Sequence, residues 1–217
     1  MPIKAILFDI DGTLVDSNEL HVDAWIEAFA KHGHHPDRDR IREQIGKGGD
    51  NLVPALLPDL PADRREALAD AHGDAFQGAR LHAVEPFPHA RDLLAKVKES
   101  GLQVALASSA AQTELDHYLD LLDARGLVDE TTTIDDVQAS KPAPDIVATA
   151  LKKLGLAPTQ VLFVGDTPYD VESGAKAGVA TVAVLSGGFP AEKLEGAKAV
   201  YDDVAALLAA WPEWVDG

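Results

Sequence analysis

Two pairs of aspartates carry the strongest chemical signal in this sequence. Asp9 and Asp11 stand two residues apart in the segment Asp-Ile-Asp-Gly-Thr, directly after a short apolar run. Asp166 and Asp170 follow a second apolar run in the same manner. Carboxylate oxygens are the ligands that Mg²⁺ prefers in proteins. If the fold brings the two pairs together, they predict a site for a divalent cation.

Hydroxyl and ammonium groups follow other apolar runs. Ser108 and Ser109 come at the end of one run, where hydroxyls and free backbone N–H groups suit a phosphate. Lys141 precedes Pro142, which disfavours helix at the lysine. Four ionised aspartates and one lysine would leave a net negative charge, which is unstable without a cation. With the cation bound, the site could bind an anionic substrate such as a phosphate dianion.

The elements that must position these residues alternate along the chain. Short apolar runs bounded by polar residues or glycine are typical of strands buried on both faces. They occupy residues 3–8, 103–107, 131–134, 161–165, 180–185 and, more weakly, 198–201. Helical patterns separate them, which predicts an α/β fold with a parallel sheet. The carboxyl ends of parallel strands share one edge, so the polar residues should converge there.

One long stretch interrupts this alternation. No convincing strand is found between Val15 and about Val84, where the apolar spacing is helical throughout. A parallel crossover needs far fewer residues. We therefore expect a core formed by residues 1–15 and 84–217, and a separate helical cap formed by residues 16–83.

Composition narrows the class of protein. The chain has 217 residues, no cysteine and a formal net charge of −17, from 19 basic and 36 acidic residues. A field of that sign disfavours nucleic acid and anionic membranes as partners. The absence of cysteine excludes disulfides and thiolate chemistry. No apolar run reaches the ~18 residues of a membrane span, and no signal peptide is evident. A cytoplasmic monomer acting on a small molecule is the expectation.

The segments in their order resemble the four motifs of the haloacid dehalogenase-like (HAD) superfamily. These segments are residues 9–17, Ser108, residues 141–142 and residues 165–170. The helical insert after the first motif resembles the subgroup that contains phosphoglycolate phosphatase and β-phosphoglucomutase. The resemblance covers nearly the whole chain and implies a Rossmann-like parallel sheet with an inserted α-helical cap.

The resemblance also implies roles in catalysis and phosphate binding. Asp9 would be the nucleophile that forms an aspartyl-phosphate, and Asp11 would protonate the leaving oxygen and then deprotonate water. The Ser108 hydroxyl and the Ser109 backbone N–H would hold the transferring group. Lys141 would bridge Asp9 and the phosphate.

The same resemblance implies a metal set. Mg²⁺ would be held by Asp9, the Asp11 carbonyl and Asp166, while Asp170 would orient metal-bound waters. Members that cleave carbon–halogen bonds lack an acid at the position of Asp11, because a halide leaves without a proton. Asp11 therefore favours phosphate ester chemistry.

Four residues of the cap are candidates for contact with substrate. His21 and Trp25 share a helix face at a spacing that resembles the mutase and its phosphatase relatives. Lys47 and Asn51 lie in the glycine-rich loop 46–51, from which they could reach a substrate. Ordinary helix packing and a flexible connecting loop are the alternatives for the two pairs.

Three functions follow, in order of preference. The first is a Mg²⁺-dependent phosphatase that hydrolyses small phosphate monoesters, such as phosphosugars or phosphoglycolate-like metabolites. The second is a phosphosugar mutase of the β-phosphoglucomutase kind, which is disfavoured because the comparable cap loop lacks an arginine. The third is a metal-dependent binding protein without catalysis, against which the intact pair Asp9 and Asp11 argues.

Overall fold

The computed structural model describes residues 2–211 and 213–216 of the chain. The strands in this part are β1 (Ala5–Phe8), β2 (Val15–Asp16), β3 (Glu85–Pro86), β4 (Gln103–Ala107), β5 (Glu130–Thr132), β6 (Val161–Gly165), β7 (Ala180–Val184) and β8 (Ala199–Tyr201). The helices are α1 (Asn18–Lys31), α2 (Arg38–Arg42), α3 (Gly49–Leu56), α4 (Ala62–Ala79), α5 (Ala90–Glu99), α6 (Gln112–Leu121), α7 (Asp145–Leu154), α8 (Pro168–Ala177), α9 (Val204–Ala209) and α10 (Glu213–Asp216).

Six strands form one parallel sheet in the order β5-β4-β1-β6-β7-β8. Strand β1 lies inside it, with Ile6 paired to Val104 of β4 and to Leu162 of β6. All four residues of β1 are fully buried, because helices cover both faces of the sheet. The predicted α/β fold with a parallel sheet is thus confirmed.

The two faces of the sheet have separate hydrophobic cores. Ile6 and Phe8 pack with side chains of α5, α6 and α9 on one face. Ala5 and Leu7 point the other way and pack with α7. This alternation is the period-two pattern of a strand buried on both sides. No helix among the described residues is both long and apolar enough to cross a membrane.

Helices α1 to α4 form an insert between β2 and β3. Trp25, Phe29, Ile41, Leu52 and Leu68 belong to a hydrophobic cluster that lies within the insert. The cluster explains why this stretch has helical apolar spacing. We call residues 18–79 the helical insert below; its action as a separate cap remains a prediction.

The expectation of no strand between Val15 and Val84 needs a small correction. Strands β2 and β3 are two residues long and pair antiparallel where the insert leaves and rejoins the core, with Asp16 opposite Glu85. Strands this short leave no alternation to detect in a sequence.

Candidate active site

The ends of β1, β4 and β6 bring the predicted residues together. Asp9, Ser108 and Asp166 each follow one of these strands directly. Gly12 has a φ of +75°, and a Cβ atom there would lie 2.3 Å from an Asp166 carboxylate oxygen. Glycine is therefore required at this turn, since only a bare backbone can pass so close to Asp166.

Lys141 links the two aspartate pairs. Its side chain is 1% exposed, and Nζ lies 2.5 Å from Asp9 Oδ1 and 2.8 Å from Asp170 Oδ1. Burial alone would lower the pKa of Lys141, but the charges of Asp170 and Asp9 outweigh it and raise the pKa. The lysine therefore stays protonated beside Asp9.

Three carboxylates form a cluster that could hold a cation. Asp9, Asp166 and Asp170 are buried, and one oxygen of each lies within 4.8 Å of the others. Burial and the neighbouring carboxylates raise the pKa of both Asp9 and Asp166. Lys141 is one positive charge among three carboxylates, so the donor set fits a divalent cation such as Mg²⁺, which favours oxygen ligands.

Polar neighbours orient the members of this cluster. Thr13 Oγ1 and Asn18 Nδ2 donate hydrogen bonds to Asp166 at 3.0 and 3.1 Å. The N–H and hydroxyl of Thr167 donate to Asp170 Oδ2 at 3.0 and 2.6 Å. These bonds fix the carboxylates as outer-shell partners fix metal ligands. Thr13 and Thr167 lie within the motif segments, whereas nothing in the sequence singles out Asn18.

The Asp11 carboxylate faces the helical insert. Its Oδ1 accepts hydrogen bonds from Ser17 Oγ at 2.6 Å, Tyr118 OH at 3.0 Å and His21 Nε2 at 3.2 Å. Burial alone would raise the pKa of Asp11, but these three bonds and the charge of His21 lower it to about 2. Tyr118 belongs to α6 and gives no sequence signal, because only folding brings it to Asp11.

His21 also connects Asp11 to a second histidine. His21 Nδ1 lies 3.2 Å from His72 Nε2. The rings of His21 and Phe76 stack, with their centres 3.7 Å apart. Burial would lower the pKa of His21, but Asp11 outweighs it and raises the pKa. Burial and the charge of His21 lower the pKa of His72 well below its ordinary value. In its protonated form His21 can donate to both Asp11 and His72. Sequence reasoning missed His72.

The serines predicted to bind phosphate lie at the same edge. Ser108 is fully buried; its Oγ accepts from Ala110 N at 3.0 Å and lies 3.4 Å from Asp11 Oδ2. Ser109 borders the cavity described next, and its Oγ lies 3.4 Å from the Gly46 carbonyl oxygen.

A cavity of about 780 Å³ lies between the core and the helical insert. Asp9, Asp11, His21, Trp25 and Lys47 are among the residues that line it. This volume is in the range of small-molecule sites. The nucleophile candidate and three of the four cap candidates therefore face one space.

Two cap candidates make contacts with other protein groups. Lys47 Nζ donates to Gln44 Oε1 at 2.5 Å and lies 4.4 Å from the centre of the Tyr169 ring. Asn51 Nδ2 donates to the Ser140 carbonyl oxygen at 3.1 Å. Their role as substrate ligands stays a prediction.

Known proteins resemble this chain in sequence and structure. A pyrophosphatase PpaX of Oceanobacillus iheyensis is 31% identical over 85% of this chain and 84% of its own length. The solved structure of a hydrolase from Pseudomonas syringae superposes with a TM-score of 0.91 at 30% identity, covering 97% and 99% of the two chains. CbbY from Rhodobacter sphaeroides, solved with phosphate, superposes with a TM-score of 0.80 at 28% identity, covering 94% and 96%.

The family model described as haloacid dehalogenase-like hydrolase matches residues 6–184, a span that begins in β1 and ends with β7. The match includes the strand ends that carry Asp9, Ser108 and Asp166, together with the whole helical insert. The resemblance drawn from the four motifs is confirmed: the chain belongs to the haloacid dehalogenase-like hydrolase family.

Proposed function

We propose that this protein is a Mg²⁺-dependent phosphatase that hydrolyses small phosphate monoesters through an aspartyl-phosphate. One observation carries the proposal. Asp9 lies beside a buried, protonated Lys141 and borders the cavity under the insert, and the separately held carboxyl of Asp11 borders the same cavity. This is the pair of groups that phosphoryl transfer to a carboxylate and then to water requires.

Asp9 would attack phosphorus with the carboxylate oxygen that does not contact Lys141. The lysine ammonium would offset the charge of the transferring oxygens, a use of fixed charge that lowers the barrier. Ser108 and Ser109 would hold the same group at the strand edge. A bound Mg²⁺, held by Asp9, Asp166 and the Asp11 carbonyl with Asp170 orienting its waters, would supply further positive charge for phosphoryl transfer.

Asp11 would handle the proton. Its three hydrogen bonds favour the carboxylate, which is the form that later deprotonates water. To act first as an acid, Asp11 must carry a proton and donate it to the leaving oxygen of the substrate. It must therefore lose one of the hydrogen bonds that it now accepts. His21 is the donor that belongs to the helical insert, so movement of the insert would change the proton affinity of Asp11.

The leaving group would occupy the cavity under the insert. Its volume supports a small phosphorylated metabolite, and the names of the relatives point to phosphate and pyrophosphate chemistry. We keep residues 16–83 as the proposed cap, with His21 and Trp25 as the proposed wall around the substrate. A cytoplasmic monomer remains the prediction from composition.

The test is phosphate release from a panel of small phosphate monoesters and pyrophosphate, with Mg²⁺ and with EDTA. We expect release that depends on Mg²⁺ and that Asp9→Asn abolishes while its melting curve stays close to wild type. The highest kcat/KM in the panel would identify the substrate class.

Other results would contradict the proposal. Wild-type activity in Asp9→Asn would remove the nucleophile assignment. Isomerised sugar phosphate formed from a sugar bisphosphate without free phosphate would indicate the mutase. No turnover of any ester would favour the binding protein.

A further inference from the structure

The helical insert forms several hydrogen bonds with the core at Ser140, the residue before Lys141. Asp50 Oδ1 accepts a hydrogen bond from Ser140 Oγ at 2.5 Å, and Asp50 Oδ2 accepts one from Ser140 N at 2.9 Å. Asn51 Nδ2 donates to Ser140 Oγ at 3.0 Å. Gly48 N donates to the same oxygen at 2.9 Å. We call these four residues the clasp.

The partners of Ser140 belong almost entirely to the insert. Ser140 is fully buried. Within residues 2–211 and 213–216, its hydroxyl contacts Asp50, Asn51 and Gly48, and otherwise only the Lys141 carbonyl oxygen at 3.3 Å. The hydrogen bonds of Ser140 with Asp50, Asn51 and Gly48 therefore exist only while the insert lies on the core. Lifting the insert would break these bonds together.

The loop is shaped for this approach. A Cβ atom on Gly48 would lie 2.7 Å from the Ser140 Cβ atom, so any side chain there would push the loop away. Asp50 also borders the cavity, which makes contact with substrate the competing explanation for it. However, both of its carboxylate oxygens already accept hydrogen bonds from Ser140.

The clasp lies next to the catalytic lysine in sequence and in space. Asn51 Nδ2 contacts the carbonyl oxygens of both Ser140 and Lys141, at 3.1 and 3.5 Å. The Lys141 ammonium lies 2.5 Å from Asp9 Oδ1. A backbone held at Ser140 therefore limits where that ammonium can lie, and small misplacements of such groups cost much of a reaction rate.

We propose that Asp50 and Ser140 are positioning residues: the clasp joins closure of the helical insert to placement of Lys141, and Asp50 does not bind the leaving group. The proposal rests on the proposed phosphatase function. In addition to any contact with substrate, the glycine-rich loop then has a positioning role, because Asp50 and Asn51 contact Ser140 only when the insert is closed.

The experiment compares Asp50→Ala, Ser140→Ala and the double variant on two probes. Acetyl phosphate has a small leaving group and 4-nitrophenyl phosphate a large one. We expect each single variant to lose roughly 10- to 100-fold in kcat/KM, by the same factor on both probes. The double variant should lose little more than the worse single variant, because both break one contact. Asp59→Ala, exposed on the same insert, is the matched control.

Hydrogen exchange gives a readout that does not need activity. The Ser140 amide donates to Asp50, so we expect it to exchange faster in Asp50→Ala and at the wild-type rate in Asp59→Ala. Melting curves test whether each variant is folded.

Each alternative result has one meaning. A greater loss of kcat/KM on the 4-nitrophenyl ester than on acetyl phosphate would show that Asp50 is a substrate ligand. Wild-type kinetics in the single variants, or additive losses in the double variant, would contradict the proposed role of the clasp. If wild-type protein hydrolyses neither these probes nor any ester of the panel, the proposed phosphatase function fails. Unchanged exchange at Ser140 in Asp50→Ala would then overturn the clasp independently.

Discussion

Asp9 and Asp11 lie in different surroundings although only Ile10 separates them. Asp9 is held by Lys141 among other carboxylates, whereas Asp11 is held by hydroxyls and a histidine. Two carboxyls in contrasting environments are a recurring basis for separate nucleophile and proton-transfer roles. The contrast allows the role of Asp11 to be tested without touching Asp9.

Replacing Asp11 with asparagine should lower the rate of the first step by an amount that depends on the leaving group of the substrate. An alkyl phosphate needs a proton on its leaving oxygen, so we expect Asp11→Asn to lower its kcat/KM by roughly 10²- to 10⁴-fold. The first step with 4-nitrophenyl phosphate should suffer much less, because 4-nitrophenolate leaves unprotonated. Burst kinetics with both esters measure this step. Equal losses for the two first steps would show that Asp11 has no role as an acid.

The site residues divide into those with a local signal and those without. Asp9, Ser108, Lys141 and Asp166 each follow a strand or stand in a motif, so order along the chain predicts their meeting. His72 lies 51 residues from its partner His21 in a helix of ordinary composition. Such contacts depend on how α1 and α4 pack, which no local pattern specifies.

At the scale of elements, Glu19 ties the first two helices of the insert together. Its carboxylate accepts hydrogen bonds from Arg38 at 2.7 Å and from Arg42 at 2.6 and 3.0 Å. The two arginines lower the pKa of Glu19 to about 2, with Arg42 contributing most. Because the pair is largely exposed, its effect on stability is small and sensitive to salt.

The pH dependence of stability should reveal this link. A lowered pKa in the folded state stabilises the fold above the unfolded pKa of Glu19, and this gain is lost as pH falls. We expect Glu19→Gln to be less stable than wild type at neutral pH, with the difference shrinking from about pH 4.5 down to about pH 2. Urea unfolding at several pH values measures it. Glu66→Gln, exposed on α4, is the control; a constant difference for Glu19→Gln would contradict the link.

The elements themselves were predictable to different degrees. Strands β1, β4, β6 and β7 are four or five residues long, apolar and mostly buried, so their apolar runs predict them. Helix α2 is only five residues long (Arg38–Arg42), and the glycine-rich loop 46–51 follows soon after it. The loop contacts the core at Ser140 and Tyr169, and the local sequence gives no signal for these contacts.

On the scale of the whole molecule, the buried carboxylates lower the stability of the folded state when no cation is bound to them. Asp9, Asp166 and Asp170 share one lysine in the interior of a chain whose net charge is −17. Ligands that bind only the folded state stabilise it, by about 2.7 kcal/mol at a concentration 100 times Kd. Bound Mg²⁺ should therefore be visible in unfolding as well as in catalysis.

Adding Mg²⁺ to EDTA-treated protein should raise the melting temperature. NaCl at matched ionic strength controls for general screening of the negative surface. We expect Asp166→Asn to lose most of the Mg²⁺-dependent rise, and Asp59→Asn, on the exposed surface, to keep it. An undiminished rise in Asp166→Asn would place the cation elsewhere.

The short ribbon of β2 and β3 has a consequence for how this architecture can change over evolutionary time. Asp16 and Glu85 are paired neighbours, so the chain leaves the core and returns to it at a single spot. A segment whose two ends meet can be lengthened, shortened or exchanged without shifting the register of any strand in the sheet. Selection can therefore redesign the helices of the insert while the sheet that carries Asp9, Ser108 and Asp166 stays unchanged.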